Sequence, residues 1–341
     1  MSPEELFEEA DRLEDSGDER GALHVWRELS RMHPDASRLC RHAWLANELG
    51  EKNEAERAFQ MAIELDAGLA PAYQGLGSMA IDRGGFREAV QFLSKAVQLD
   101  STRSAYCMLG VALNGLGRDE EACESYRKAI EIDPGFEEAY YNLGVLLRSN
   151  DPVQAQALLA KALQLDPSYA EAHSELGWVL RRHGSLPEAE YHLRRAIELR
   201  PDSAWTHVYL ANLLWERRDL SGAVAEYEWA REAAPNRAFP LWSLANLYED
   251  DGDWEKAQAL YAQALELEPD DAVGNMNFGR LLLKRGDLAK ARVFLERALI
   301  LDPTYQRAKD LLDSMAPENQ GEARRTETAK PDANGADAVH D

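Results

Sequence analysis

One seven-residue phrase recurs along the chain at a nearly constant interval. It reads KAIEIDP from Lys128 to Pro134, KALQLDP from Lys161 to Pro167 and RAIELRP from Arg195 to Pro201. It returns as QALELEP from Gln263 to Pro269 and RALILDP from Arg297 to Pro303. Weaker copies end at Ala67, Ser101 and Pro235, and the first ends at Pro34. Successive end points lie 33 or 34 residues apart. Such a period means one supersecondary unit used repeatedly, each unit burying its apolar face against its neighbours. Length alone would suggest two globular domains for 341 residues; the period predicts a single array of nine units.

Within a unit the apolar spacing predicts helix–turn–helix. Between Asp202 and Pro235, His207, Leu210, Ala211 and Leu214 fall at i, i+3, i+4 and i+7, one face of a helix. After a turn over residues 217–222, Ala223, Tyr227 and Ala230 mark a second helix. Pro235 stops it, because proline lacks the N–H that a continuing helix needs. Gly77, Gly110, Gly144, Gly177, Ala211, Ala245 and Gly279 hold one position in successive units. Ala89, Ala122, Ala155, Ala189, Ala223, Ala257 and Ala291 hold the matching place on the second helix. Small residues at both places predict a close helix crossing.

These residues resemble the tetratricopeptide repeat family. Its pattern reads here as Tyr140, Leu143-Gly144, Leu147, Ala155, Leu159, Ala162 and Pro167, and again as Tyr106, Leu109-Gly110, Leu113, Ala122, Tyr126, Ala129 and Pro134. The resemblance covers residues 3–303. Departures are mild: Ala67 and Ser101 replace the terminal proline, the turn at residues 149–152 is one residue short, and the first unit has Glu9-Ala10 for Leu-Gly. The resemblance implies an all-α, right-handed α-solenoid of about nine units, near 3–35, 36–69, 70–103, 104–136, 137–169, 170–203, 204–237, 238–271 and 272–303. Residues 304–316, with Leu311, Leu312 and Met315, are expected to form a capping helix. Residues 317–341 contain no Leu, Ile, Phe, Trp, Tyr or Met and are expected to be a disordered tail.

Charge narrows the partner class. The chain carries 38 Lys and Arg against 61 Asp and Glu, a net −23. A surface this negative repels phosphates, so nucleic acid is excluded as an expected partner. No apolar run approaches the roughly 20 residues of a membrane-spanning helix, and the acidic start MSPEELFEEADRLED is unlike a signal peptide. Three cysteines do not make an extracellular disulfide framework. A cytoplasmic protein without membrane insertion is expected. Residues 3–20 hold nine acids and two arginines, which reads as a soluble cap or as a steering patch for a basic partner.

No constellation for catalysis stands out. HExxH, CxxC and GxSxG are missing from the sequence. The glycines at 110 and 115 have part of a P-loop spacing, but no Lys-Ser or Lys-Thr follows and they fall on repeat positions. Cys107 and Cys123 read as small buried hydrophobes, and His173 and His207 as helix–helix contacts. The chain is therefore expected not to be an enzyme and to need no metal or other cofactor.

The resemblance also implies that the first helix of each unit lines a concave groove. Its free face carries Trp44 early in the chain, then Tyr141, Trp178, Trp205, Tyr209, Trp215, Phe239 and Trp242. Five of the eight tryptophans fall here, and aromatics with a polar tip are favoured interface anchors. Asn142, Asn212, Asn246 and Asn277 accompany them and offer a donor and an acceptor to a peptide backbone. Arg148, Arg181, Arg182 and Arg280, with Lys284, supply positive charge, and Glu216, Glu249, Asp250 and Asp251 lie between. Family members that hold a chaperone's C-terminal carboxylate do so with a Lys-Asn-Arg clamp; its lysine positions are Tyr141 and Ser174 here, which argues against that role. The expectation is a scaffold or adaptor whose groove binds a peptide segment of a partner protein. The alternatives are a self-assembling scaffold, with the chain as a homo-oligomer, and a regulatory subunit of a separately encoded enzyme.

Overall fold

A computed structural model describes residues 2–315. Among them are nineteen α-helices and no strand. The expected tail, 317–341, and the last residue of the expected cap lie outside the described residues.

The helices form two compact groups, one ending at Pro201 and one beginning at Asp202. The first contains six hairpins: α1 (Pro3–Asp15) with α2 (Glu19–Met32), α3 (Ala36–Glu48) with α4 (Lys52–Leu65), and α5 (Ala70–Asp82) with α6 (Phe86–Leu99). It continues with α7 (Arg103–Gly115) and α8 (Asp119–Ile132), α9 (Glu137–Leu147) and α10 (Pro152–Leu165), and α11 (Ala170–Arg182) and α12 (Leu186–Leu199). The second contains α13 (Ala204–Glu216) with α14 (Leu220–Ala233), α15 (Phe239–Asp251) with α16 (Trp254–Leu267), and α17 (Ala272–Lys284) with α18 (Leu288–Leu301). It closes with α19 (Gln306–Ser314). Within each group every helix packs on the next in sequence, the contact pattern of an α-solenoid.

The recurring phrase has a physical job. Its apolar residues close the second helix of a hairpin, and its Asp makes the turn that follows. Asp133 Oδ accepts the backbone N–H of Gly135 at 2.8 Å, and Asp66, Asp166 and Asp302 do the same two residues on, each at 2.8 Å. Such turns compete with helical hydrogen bonding and so end the helix where proline also forbids it. Second helices commonly begin at an Asp cap: Asp219, Asp253 and Asp287 each accept the N–H three residues ahead.

The small-residue positions sit at the hairpin crossings. Ala89, Ala122, Ala155, Ala189, Ala223, Ala257 and Ala291 are fully buried. A Cβ on Gly177 would meet Leu193 Cγ at 2.6 Å and the Ala189 carbonyl at 3.1 Å, so glycine lets α11 and α12 approach. The short turn after α9 also has its effect: α9 has 11 residues where neighbouring first helices have 13, and Arg148 becomes its C-cap. At the chain's last described helix, Tyr305, Leu311, Leu312 and Met315 pack onto the cluster of Met276, Leu295, Ala298 and Ala308.

Candidate functional site

In the first group, the candidate side chains lie on α9 and α11. Tyr141 is half-buried, its ring 4.9 Å from that of Tyr169. Asn142 donates to Cys107 Sγ at 3.3 Å, tying α9 to α7. Trp178 is half-buried, with the Arg148 and Arg182 guanidiniums 5.1 and 5.0 Å from its ring centroid. Arg148 is also ion-paired to Glu175, which is mostly buried. Arg181 is half-buried and Arg182 exposed. The same group holds Trp44, half-buried and edge-on to the Phe59 ring at 5.4 Å. Trp44 therefore packs within its own hairpin.

The acidic start of the chain is partly used inside the protein. Asp11 and Glu14 both hold Arg41 of α3, at 2.8 Å each. Arg41 also lies 4.7 Å over the Trp26 ring, and Glu14 accepts the Trp26 indole N–H. Trp26 is completely buried. The cysteines read as buried hydrophobes are buried, and burial pushes the Cys107 thiol up to about 12, which keeps it protonated and unreactive.

In the second group the aromatics separate into two kinds. Trp205, at the start of α13, is 50% exposed and stacks on Phe239 of α15, with ring centroids 3.8 Å apart and planes 4° from parallel. Tyr209 lies one turn further along α13, its ring 6.3 Å from Trp205. Val273, at the equivalent position of α17, is 52% exposed. These residues make an exposed apolar edge. Trp242 is different. It packs so closely on α17 that a Cβ at Gly274 would lie 2.3 Å from its ring, and its ring centroid is 6.0 Å from that of Tyr261. Trp215 is half-buried near the end of α13.

The asparagines also differ. Tyr227 donates its hydroxyl to Asn212 Oδ1 at 2.7 Å, and Tyr261 donates to Asn246 Oδ1 at 2.6 Å. Each bond ties a first helix to the second helix of its own hairpin, leaving the amide N–H₂ for other partners. Asn277 is half-buried and makes no side-chain hydrogen bond to a described residue. The sequence carried a signal for this division: Asn212 and Asn246 occur in hairpins whose second helix holds a tyrosine, Tyr227 or Tyr261, fifteen residues on.

Glu249, read from the sequence as a groove charge, is instead buried, its side chain 2% exposed. It accepts from Arg280 at 2.9 Å and from Lys284 at 2.7 Å, and it lies 3.1 Å from the Tyr261 hydroxyl, whose single proton it shares with Asn246 Oδ1. Arg280 is thus held by an internal carboxylate. Sequence spacing missed this centre because position along a helix does not reveal which side chains a neighbouring helix will cover. The positive residues at 280 and 284, one turn apart and one unit beyond Glu249, were the available hint.

Three family models of the tetratricopeptide repeat match the chain, over residues 110–150, 138–204 and 249–315. The matched segments are tetratricopeptide repeats. Repeats of this family generally mediate protein–protein interactions, and the scaffold is generally not enzymatic. Among curated proteins, Protein CTR9 homolog of Arabidopsis thaliana is 30% identical over 107 residues, covering 30% of this chain and 10% of that protein. Tetratricopeptide repeat protein 6 of Homo sapiens is 27% identical over 95 residues, and the match spans 18% of its length. Among solved structures, pilF of Pseudomonas aeruginosa superposes with a TM-score of 0.51 at 25% identity, covering 60% of this chain and 93% of that one. Yeast Tom70 superposes with a TM-score of 0.54 at 16% identity, covering 95% and 89%, a likeness of fold alone. Among the described residues, no helix is long and apolar enough to cross a membrane.

Proposed function

We propose that this tetratricopeptide repeat protein is an interaction scaffold that holds a segment of a partner protein against the free faces of its first helices. In this reading residues 3–303 are the interacting array and 304–316 its cap. The observation that carries the proposal is the exposure of Trp205. A large indole left half in solvent, with Phe239 stacked beneath it and Val273 in the same row, gains by being covered. Stacking fixes the indole before a partner arrives, so little side-chain freedom is lost on binding. Tyr209 and the amide N–H₂ groups of Asn212 and Asn246 lie on the same helices and supply polar contacts to a bound backbone.

The test is a substitution at the exposed anchor. Partners captured from native extract with the full chain are titrated against Trp205→Ala. Affinity is expected to fall about tenfold or more, the effect of losing an interface aromatic, with helicity by circular dichroism unchanged. Wild-type affinity in Trp205→Ala and in Phe239→Ala would refute the reading. Trp242→Ala is a poor probe, because Trp242 packs on α17 and its loss disturbs the fold.

A further inference from the structure

We propose that Arg148, Trp178 and Arg182 form a binding site for the side-chain carboxylates of an acidic segment in the partner. The proposal deepens the scaffold reading by naming the chemistry of one stretch of the partner. The site is built on α9 and α11, away from the exposed aromatic edge of α13 and α15 in sequence and in its chemistry.

Three observations carry it. The first is the platform. Both guanidiniums lie about 5 Å from one indole, so their central carbons are at most about 10 Å apart. A guanidinium resting on an aromatic face keeps its edge N–H donors available for a planar acceptor. The second is the difference between the two arginines. Arg148 is anchored by Glu175, which is mostly buried. Arg182 is exposed and lies over the indole, and it makes no hydrogen bond or ion pair with a described residue. Its donors are therefore presented to solvent in an orientation that Trp178 restricts. The third is that an arginine at the place of Arg182 is not a general requirement of the fold. Cations in the last turn favourably meet the partial negative charge of a helix end, yet α3, α5, α7, α9, α13 and α15 have none there, and Arg148 is the C-cap of α9 as Arg83 and Arg217 are of α5 and α13. On α17 the equivalent cation, Lys284, is matched by Glu249.

The upper bound on the separation admits the ligand. Successive same-side residues of an extended chain are about 7 Å apart, within the reach of two arginines whose centres are no more than about 10 Å apart. An extended segment with acids at alternate positions therefore places one carboxylate on Arg182, where a charge-assisted bond forms, and a second in the positive field of Arg148, which stays paired with Glu175. The overall charge of −23 disfavours an acidic segment over most of the surface, so its docking depends on local positive charge of this kind. Phosphorylated serine offers the same oxyanion chemistry and is a second source of the ligand.

The test uses the full chain and a fluorescein-labelled Ser-Glu repeat peptide of about ten residues. Fluorescence anisotropy is expected to give saturable binding that weakens with salt, and no binding of the Ser-Gln repeat. Arg182→Gln, a substitution at an exposed residue that makes no hydrogen bond or ion pair with a described residue, is expected to weaken binding at least fivefold. Arg182→Lys is expected to fall between, since it keeps charge and loses the planar fork. Trp178→Leu is expected to weaken binding about threefold at unchanged helicity. A second arm replaces one Glu by phosphoserine. Tighter binding that is lost in Arg182→Gln supports the site and assigns phosphate as its preferred anion. Equal affinity of wild type and Arg182→Gln for both peptides overturns the proposal, as does equal binding of the Ser-Gln repeat. Trp205→Ala serves as the separating control: it is expected to leave the acidic peptide unaffected, so failure of the aromatic anchor and failure of this site read out independently.

Discussion

Arg218 adopts φ 65°, the left-handed region, at a turn where Gly184 and Gly252 adopt 81° and 83° in neighbouring hairpins. An L-residue with a Cβ costs about 1–2 kcal/mol there. Arg218→Gly is expected to raise stability by about 0.5–1 kcal/mol, the strain relieved less the added freedom of the unfolded chain, as read from the urea midpoint. A second residue-scale effect lies between α11 and α12. His173 is buried, and its Nδ1 is 2.8 Å from His192 Nδ1, while its Nε2 is 3.3 Å from the Pro167 carbonyl. With His173 Nε2–H donating to the Pro167 carbonyl, the neutral pair is the one in which His192 Nδ1–H donates to His173 Nδ1. Burial, with the neighbouring His173, pushes His192 down from 6.5 to about 4. Burial lowers His173 as well, Arg195 adding to the effect against the Pro167 bond and Asp166. Groups lowered on folding leave the neutral pair fully stabilising above the unfolded value and lose that contribution as pH falls. Urea stability is therefore expected to decline between pH 6.5 and 4, and His192→Phe to flatten that decline. An unchanged slope in the variant would assign acid sensitivity to other groups. His173 and His207 were legible as packing residues because they share one repeat position, but the identity of their partners, His192 and Glu226, was not.

Helices α15, α16 and α17 meet at one carboxylate. Glu249 joins them through Tyr261, Arg280 and Lys284. With its side chain 2% exposed, its removal strands Arg280, itself only 19% exposed, beside an empty space. Breaking a buried pair by deleting one partner costs about 3–5 kcal/mol. Glu249→Ala is expected to lose about 3 kcal/mol in urea unfolding, whereas Glu249→Gln, which keeps an acceptor, is expected to lose less. Equal and small losses in both would mean that the centre is solvated. At this scale the helices were largely legible: apolar spacing, Asp caps and the phrase-ending prolines are local signals, and local hydrogen bonding obeys them. What a helix presents to its neighbour was less so. Trp205 and Trp242 both read as groove aromatics, yet Trp205 is exposed and Trp242 is laid on the backbone at Gly274. A glycine one unit ahead, where Trp242 needs space, is the only trace of this in the sequence.

Over the whole chain, a net −23 sets a background of self-repulsion. Raising salt from about 0.01 M to about 0.1 M shortens the screening length from about 30 Å to about 10 Å. The melting temperature is expected to rise by roughly 2–4 °C, as followed by circular dichroism; a fall would show that internal ion pairs such as Arg27–Glu54 and Arg41–Glu14 outweigh the repulsion. The charge total also conceals internal use, since Asp11 and Glu14 of the acidic first helix hold Arg41. The sequence alone determined the repeat, the helix–turn–helix unit and the small residues at the crossings, because period, caps and breakers act within a few residues of chain. Only the tertiary structure decided which aromatics and charges stay exposed. That depends on residues of the following helices, Tyr261, Gly274, Arg280 and Lys284, which pack on Trp242 and Glu249, whereas Trp205 and Arg182 stay in solvent.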